Sequence, residues 1–312
     1  MPSEFDLIAK LFAPLATAPG AFGLTDDVAL VAPRAGCELV VTTDTIVSGI
    51  DFFPSDPALT VAKKALRVNL SDLAAKGAEP SGYLLTLQIP DGTEPRYLEE
   101  FAEGLRQDQN RFGLSLLGGD MSSTPGPLSV SITAFGHVPE GKMIRRSGAR
   151  AGDLVFVTGT VGDSAGGLAL LTGEAQPEFR EQLIARYRVP EPPVEFGPML
   201  RGLASAALDV SDGLIADLGH IAEASGVRIV VEAECIPRSP QLAALWGNGE
   251  DAIVRAATAG DDYEIAFTAT VPIADPLTPV SCIGRVDRGA GVVLLDARGA
   301  EIAVPRPGFR HF

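Results

Sequence analysis

Cysteine and histidine are scarce in this chain of 312 residues, which has three of each. The cysteines, Cys37, Cys235 and Cys282, lie far apart and form no CxxC pair. Their spacing argues against a disulfide framework and against a structural zinc site. So few histidines also leave little material for histidine catalysis, and the chemistry is expected to depend on other side chains.

Positive charge and long apolar runs are also in short supply. The 25 Lys and Arg residues face 40 Asp and Glu, a net charge of −15, whereas a binder of free nucleic acid needs a basic footprint. No apolar run approaches the roughly 20 residues of a membrane helix, and the N-terminus MPSEFDLIAK lacks the apolar core of a secretory signal. These absences predict a cytoplasmic protein without nucleic-acid or membrane partners. Phosphorylated small molecules remain possible ligands if metal cations lie between them and the acidic protein.

The hydrophobic pattern predicts two α/β domains, residues 1–140 and 141–312. In the first, strands and helices follow the order β-α-β-α-β-β with short links. Its first strand is predicted at Glu38–Thr43, and its first helix at Thr60–Gly77, with Thr60 as N-cap and Gly77 just past the end. The polar stretch PEGKMIRRSGARAGD separates the two domains. In the second, strands are predicted at LVFVTGTVG, RIVVEAE, YEIAFTA and GVVLLDA, with a helix at Ser164–Leu171 and another after ALDVSDGL.

Acidic residues recur at the ends of apolar segments, mostly beside Gly, Ser or Thr. They are Asp26, Asp27, Asp44, Asp72, Asp120, Asp209, Asp212, Asp261 and Asp262. Any one of them fits a helix cap or a turn, and Ser211 with Asp212 fits a cap for a helix that begins at Leu214. As a set they fit such roles less well, because clustered carboxylates repel one another unless cations compensate. Asp together with Thr and Ser oxygens is the ligand set of a hard cation such as Mg²⁺.

Two further motifs each allow two interpretations. TGTVGDSAGG fits a backbone cradle for phosphate, but it matches neither GxxxxGK[ST] nor GxGxxG, and tight packing of a strand-to-helix turn explains it equally well. Arg145 and Arg146 form the strongest basic pair. They fit a phosphate clamp, because the planar guanidinium offers two parallel donors to phosphate oxygens, or a solvated loop between domains.

Taken together and in order, the motifs resemble those of the thiamine-monophosphate kinases. They are DDVAL, TTDTIVSGIDF, VNLSDLAAKGAEP, LLGGD, RRSGA, TGTVGDSAGGLALL, LDVSDGL and GDDYEIAF. The resemblance spans about Phe5 to Phe309 and extends to the superfamily of aminoimidazole ribonucleotide synthetase and selenophosphate synthetase. It implies a two-domain, synthetase-like α/β (α+β) fold and a homodimer in which N-terminal sheets pair across the two-fold. It also implies transfer of the ATP γ-phosphate to thiamine monophosphate, giving thiamine diphosphate and ADP, with several Mg²⁺ ions per site.

The resemblance also implies roles for individual residues. Metal ligands fall at Asp27, Thr42, Thr43, Asp44, Asp72, Asp120, Asp209 and Asp212, of which Asp44, Asp72 and Asp212 are the expected catalytic residues. ATP contacts fall at Gly119, Asp120, Arg146 and Ser211, and substrate contacts at Asp51, Asp261 and Phe309. The sequence departs from the family where Asp51 replaces a common His, Asp261 replaces a common Glu, and GLTDD replaces GIGDD.

Three other interpretations compete with this one. Selenophosphate synthetases normally carry a reactive Cys or selenocysteine near the N-terminus, whereas the first cysteine here is Cys37, in the turn-like RAGCEL. A non-catalytic protein that binds nucleotide and metal would be expected to lose some of the acidic ligands. In an acidic scaffold the carboxylates would face solvent, and Mg²⁺-dependent binding of ATP would distinguish that case.

Overall fold

The structure is a computed structural model that describes residues 4–173 and 179–309. The chain divides into two compact units, the first ending at Gly141 and the second starting at Lys142, except that Ala74–Gly77 belongs to the second. The first unit contains α1 (Glu4–Leu7), β1 (Cys37–Val47), α2 (Ala58–Ala75), β2 (Glu79–Pro90), α3 (Pro95–Phe112), β3 (Ser115–Thr124) and β4 (Ser129–Pro139). From β1 onwards this is the predicted order of strands and helices.

The first unit is built on a four-stranded sheet in the order β1-β4-β2-β3, so β1 and β3 are its edges. β2 and β3 are parallel and joined through α3, while β4 pairs antiparallel with β1 and β2. Side chains alternate between the two faces along β1. Ile46 is buried on one face, whereas Thr43 and Thr45 are exposed on the other. One face therefore carries the core, and the other lies open in the single chain.

Helices α2 and α3 lie against each other next to the buried face. Arg67 of α2 donates two hydrogen bonds, of 2.7 and 2.8 Å, to the carboxylate of Asp108 of α3, and both side chains are almost fully buried. The hydroxyl of Tyr83 of β2 donates to Gln109 of α3 at 2.9 Å. A Cβ on Gly104 of α3 would lie 2.5 Å from a carbonyl oxygen of α2, so only glycine permits this close approach.

The predicted bounds of α2 need one correction. The helix begins at Ala58, not after Thr60, and the Thr60 hydroxyl donates to the carbonyl of Pro57 at 2.8 Å instead of capping. The first turn thus starts directly after proline, a residue whose fixed φ suits a helix start. The predicted end of the helix, at Gly77, agrees better with the structure. The helix stops at Ala75, and Gly77 has a left-handed φ of +69°.

The second unit is built on a seven-stranded sheet in the order β11-β10-β7-β9-β5-β8-β6. Its elements are β5 (Leu154–Thr158), α4 (Asp163–Leu171), α5 (Arg180–Arg188), β6 (Ala204–Asp209), α6 (Leu214–Ser225), β7 (Arg228–Glu232), α7 (Pro240–Trp246), α8 (Glu250–Ala257), β8 (Ile265–Ala269), β9 (Val280–Asp287), β10 (Gly291–Leu295) and β11 (Glu301–Ile302). Strand β9, which pairs with β5 and β7, has no counterpart among the predicted strands. Buried residues of β5, β6, β7 and α6 form one apolar cluster, which leaves the polar end of β6 at the margin of the core.

Within the described ranges, no helix combines the length and the apolar character that a membrane crossing requires.

Candidate metal, nucleotide and substrate sites

The first group of acidic residues lies where β1 faces α2. Because side chains alternate along a strand, Thr42 and Asp44 share the face of β1 that carries buried Ile46. The Thr42 hydroxyl donates a 2.5 Å hydrogen bond to the carboxylate of Asp72 on α2. Asp44 of β1 therefore stands beside an acid of α2, and the Thr42 hydroxyl binds that second acid.

Electrostatics at Asp44 favour a bound positive charge. Burial first, and then the neighbouring carboxylates of Asp72 and Asp51, together raise the pKa of Asp44 from 3.8 to about 6. Without a cation the protein holds a proton here more tightly than an isolated aspartate does. A metal ion that relieves this repulsion fits the site.

Thr43 and Asp120 lie on the open face of the same sheet. The Thr43 hydroxyl donates to the carbonyl of Ile132 at 3.1 Å, and Asp120 is exposed in the row of paired residues that contains Thr45, two positions along β1 from Thr43. Three strand spacings of about 4.8 Å separate β3 from β1 across the sheet. A single chain therefore does not bring Asp120 to Asp44.

Gly119 is the residue of GGD that the fold requires. A Cβ there would lie 1.8 Å from the carbonyl oxygen of Leu85, and the φ of Gly119 is +158°. Packing of β3 on β2 thus explains this glycine without a ligand.

Two other predicted residues of the first unit occupy turns. The carboxylate of Asp51 accepts the N–H of Val47 at 2.7 Å, which closes the turn after β1, and its carbonyl accepts from the buried ammonium of Lys64 at 2.8 Å. Asp27 is exposed, and its N–H donates to the Asp26 carboxylate at 2.7 Å. Asp51 lies close enough to Asp44 to act on its pKa, so it borders the first group of acids.

In the second unit, four predicted residues meet at the turn between β6 and α6. We call residues 210–213 the β6–α6 turn. The N–H of Asp261 donates to the carbonyl of Ser211, and the N–H of Phe309 donates to the carbonyl of Asp212, each at 2.8 Å. Asp209 is buried at the end of β6, directly before the turn. Apart from Arg146, the predicted metal, nucleotide and substrate residues of this unit therefore surround one short segment.

The predicted cap of helix α6 is wrong, and the correction reveals an acid that the motifs do not single out. The N-cap of α6 is Gly213, and neither Ser211 nor Asp212 caps the helix with its side chain. Instead, one carboxylate oxygen of Asp217 accepts the N–H groups of Ser211, Asp212 and Gly213, at 3.1, 3.0 and 3.1 Å. An acid in the first turn of a helix was the available signal.

Asp217 also belongs to a compact cluster of side chains that could bind a cation. Burial, and next the charge of Asp212, raise the pKa of Asp217 to about 7. Ligand atoms of Asp212, Asp217 and His220 all lie within 4.8 Å of one another. The predicted ligand Asp212 thus has a second carboxylate and an imidazole beside it.

The backbone at Asp261 is strained. Asp261 and Tyr263 have left-handed φ values of +69° and +55°, which non-glycine residues rarely adopt. The Tyr263 hydroxyl donates to the Asp261 carboxylate at 3.0 Å, and the Tyr263 N–H donates to the carbonyl of Val210. Such strain persists where surrounding contacts enforce it, and it is common at functional sites.

The Arg145–Arg146 segment runs along the edge of β6. The carbonyl of Arg145 accepts the N–H of Ala207 at 2.9 Å, and the Ser225 hydroxyl of α6 accepts the N–H of Gly148 at 3.1 Å. The segment is thus fixed by its backbone. Both arginine side chains are exposed, as either interpretation of this pair requires.

The glycines of TGTVGDSAGG serve packing. A Cβ on Gly159 would lie 2.1 Å from the Glu264 carboxylate. The guanidinium of Arg186 donates a 2.7 Å hydrogen bond to the Glu264 carboxylate. The N–H of Gly162 donates to the Asp262 carboxylate at 2.8 Å. Burial raises the pKa of Asp262 and of Glu264, while the charge of Arg186 lowers both. The motif therefore accommodates a buried polar network rather than an open phosphate cradle.

Comparisons with known proteins agree on one family. Residues 25–138 match the family described as "AIR synthase related protein, N-terminal domain". The chain is 42% identical over 322 residues to a thiamine-monophosphate kinase of Caulobacter vibrioides, covering 99% of this chain and 91% of that protein. It is 38% identical over 322 residues to one of Salmonella typhimurium, covering 99% and 98%.

Solved structures give the same result. A thiamine-monophosphate kinase of Stenotrophomonas maltophilia has a TM-score of 0.80 at 42% identity, covering 87% of this chain and 89% of that one. The structure described as AaThiL complexed with AMPPCP and TMP has a TM-score of 0.82 at 33% identity, covering 94% and 97%. Escherichia coli HypE, at 19% identity and a TM-score of 0.78 over 98% of both chains, shares the fold.

Proposed function

The chain belongs to the thiamine-monophosphate kinase family, and we propose that Asp44 and Asp72 hold the Mg²⁺ ions of its reaction. The reaction transfers the γ-phosphate of ATP to thiamine monophosphate and yields thiamine diphosphate and ADP. The observation that carries the proposal is the pair of carboxylates with the Thr42 hydroxyl between β1 and α2. Hard oxygen donors of this kind suit Mg²⁺.

The remaining predicted site residues come from both units. We propose that residues 1–140 form the ATP- and Mg²⁺-binding and dimerisation domain and that residues 141–312 form the C-terminal domain. Asp27, Thr42, Thr43, Asp120, Asp209 and Asp212 complete the metal ligands, Gly119, Arg146 and Ser211 bind ATP with Asp120, and Asp51, Asp261 and Phe309 bind the thiamine end. A cytoplasmic location fits the use of ATP.

The proposed mechanism needs no general base. The attacking phosphate of thiamine monophosphate is already ionised at neutral pH, so no side chain has to remove a proton from it. The main obstacle to transfer is the repulsion between this phosphate and the γ-phosphate of ATP. Bound Mg²⁺ neutralises this charge. The chain's own part is to orient the two phosphates, with Arg146 offering a bidentate guanidinium to phosphate oxygens. A mechanism without a general base or a covalent intermediate agrees with the shortage of histidine and cysteine.

The test of the function is release of ADP that depends on thiamine monophosphate and Mg²⁺. The variants Asp44→Asn and Asp72→Asn should each lower turnover at least about a hundredfold, because metal neutralisation of a transferring phosphate is worth several kcal/mol. Asp91→Asn, in the exposed turn after β2, is the control and should keep wild-type turnover. A wild-type protein that releases no ADP with thiamine monophosphate would overturn the function itself.

We also propose a homodimer formed by the first units of two chains. The open face of the sheet carries Thr43 and Thr45, and both edges of the sheet, β1 and β3, are available to a second copy. If β3 of one copy lies beside β1 of the other with their open faces on the same side, Asp120 comes next to Thr43 or Thr45 of its partner copy, and Asp44 lies between those two residues on the opposite face of that strand. That arrangement reunites the predicted ligands that a single chain keeps three strands apart.

Subunit mixing tests the shared site. The Asp44→Asn and Asp120→Asn proteins should each be nearly inactive. Unfolding and refolding them together should recover up to about a quarter of wild-type activity, because half of the dimers are then mixed and each mixed dimer has one unaltered site. The same refolding of Asp44→Asn with Asp72→Asn is the control, and it should recover nothing, since both acids lie in one site of one chain. Equal failure of both mixtures would place Asp120 in the site of its own chain.

A further inference from the structure

The β6–α6 turn is held from two sides at once. On its inner side, one oxygen of Asp217 accepts all three N–H groups of residues 211–213. On its outer side, the carbonyls of Ser211 and Asp212 accept the N–H groups of Asp261 and Phe309. Few peptide groups of this segment are left free to move, which is unusual for a polar turn at the margin of a core.

Two glycines make the outer contacts possible. A Cβ on Gly260 would lie 2.5 Å from the carbonyl oxygen of Ser211, and one on Gly308 would lie 2.6 Å from that of Asp212. The segments that carry Asp261 and Phe309 therefore approach the turn closely through backbone alone. Any shift of the turn must move both segments, because backbone atoms make these contacts and no flexible side chain lies between them to absorb the shift.

We propose that Asp217 is a positioning residue, which fixes the β6–α6 turn and through it aligns the nucleotide and substrate residues of the second unit. This inference rests on the proposed function of Ser211, Asp212, Asp261 and Phe309. Asp217 is 4% exposed, so it acts through the turn and not by contact with ligands. One side-chain oxygen that accepts three N–H groups holds the three peptide units of the turn in one arrangement.

A purely stabilising role makes a different prediction. Removal of an ordinary buried hydrogen-bonding group lowers the melting temperature and leaves the kinetic constants of the folded enzyme alone. Removal of Asp217 should change KM for ATP and KM for thiamine monophosphate together, although the residue touches neither the Asp261 nor the Phe309 segment in the described contacts.

The experiment compares four variants below their melting temperatures. In Asp217→Ala, kcat/KM for both substrates should fall about a hundredfold, the loss that a misplacement of about 1 Å produces. Asp217→Asn keeps an oxygen acceptor and should recover to within about fivefold of wild type. Asp296→Ala is the matched control, because one oxygen of Asp296 accepts the N–H groups of Arg298 and Ala300 in a distant turn. It should lose stability only.

His220→Ala is the fourth variant, and it tests a metal-ligand role for the same cluster. If Asp217 positions the turn, His220→Ala should keep wild-type kinetics. Calorimetric titration with Mg²⁺ and a non-hydrolysable ATP analogue gives a readout independent of turnover, and only Asp217→Ala should bind this analogue much more weakly.

Three results would overturn the inference. The first is Asp217→Ala with wild-type kinetic constants, and the second is Asp217→Asn as damaged as Asp217→Ala, which would assign the effect to charge. The third is His220→Ala as damaged as Asp217→Ala, which would make the cluster a cation site. Wild-type turnover of thiamine monophosphate is measured first, so failure of the function is recognised separately from failure of the positioning role.

Discussion

Replacing Asp44 by Asn should make the metal-free protein more stable and the enzyme nearly inactive. The substitution keeps the shape of the side chain and removes its charge. In the folded protein, burial and the neighbouring Asp72 raise the pKa of Asp44 from 3.8 to about 6. Without Mg²⁺ the ionised group therefore opposes folding, and the amide does not.

The size and sign of the effect follow from linkage. A raised pKa of about two units corresponds to at most about 3 kcal/mol at neutral pH, since each unit is worth about 1.4 kcal/mol. Partial exposure of Asp44 reduces this to about 1–2 kcal/mol through solvent screening. Because the folded pKa is the higher one, the stability that the protonated group contributes is complete below pH 3.8 and is lost as the pH rises through about 6.

The assay is urea unfolding of wild type and Asp44→Asn in EDTA, at pH 7 and pH 5. We expect the variant to unfold at higher urea at pH 7, with roughly half of that gain at pH 5, where the wild-type carboxyl is mostly protonated. Asp91→Asn should change neither value. An Asp44→Asn protein that is less stable than wild type at pH 7, or that retains full turnover with Mg²⁺, would refute the reasoning.

Three other predictions, made with four substitutions, test separate parts of the structure. Arg146→Lys should raise KM for ATP because lysine cannot form two parallel bonds to a phosphate, and Arg145→Lys should raise it less. If neither substitution changes KM for ATP, the segment is only a solvated loop. Asp51→Asn should raise KM for thiamine monophosphate and leave KM for ATP unchanged, because a carboxylate attracts the thiazolium cation; a lowered KM would show repulsion instead. Arg186→Met should lower the free energy of unfolding by about 3–5 kcal/mol, since it leaves the buried carboxylate of Glu264 without its 2.7 Å partner; a loss below about 1 kcal/mol in urea would contradict this.

Local pattern was enough to predict the first unit because its elements are long and its breakers stand at their ends. In β1 the apolar run of residues 39–41 is followed by Thr42, Thr43 and Asp44, although the strand continues to Val47, and α2 ends before a glycine that adopts the left-handed conformation. The predicted start of α2 lies three residues too late, since a threonine near a helix start resembles an N-cap whether or not it caps. The strands of the second unit were harder to predict. β9 contains Cys282, Gly284 and Arg285, which interrupt any apolar pattern, and it is recognised as a strand only by its pairing with β5 and β7.

The site was predictable as a set of residue types but not as contacts. Asp44 and Asp72 are 28 positions apart, and the sequence gives no measure of whether β1 faces α2 at that point. The position of Asp217 in the first turn of α6 favours contact with the helix start, but its role depends on the direction of three backbone N–H groups in a turn, which the sequence does not give. The interaction of Arg186 with Glu264 likewise joins α5 to the GDDYE segment before β8 across 78 positions.

The edge position of β1 also bears on how the chain is made. β1 pairs with β4, the last strand of its unit, and Val41 lies opposite Phe135. During synthesis the segment β2–α3–β3 can fold from neighbouring residues, whereas β1 waits until Pro139 has left the ribosome, because its partner strand does not exist before then. The strand that bears Thr42 and Asp44 is thus the last to join its sheet. A pause in translation shortly before residue 139 would prolong the lifetime of an unpaired β-strand and, with it, the risk of aggregation.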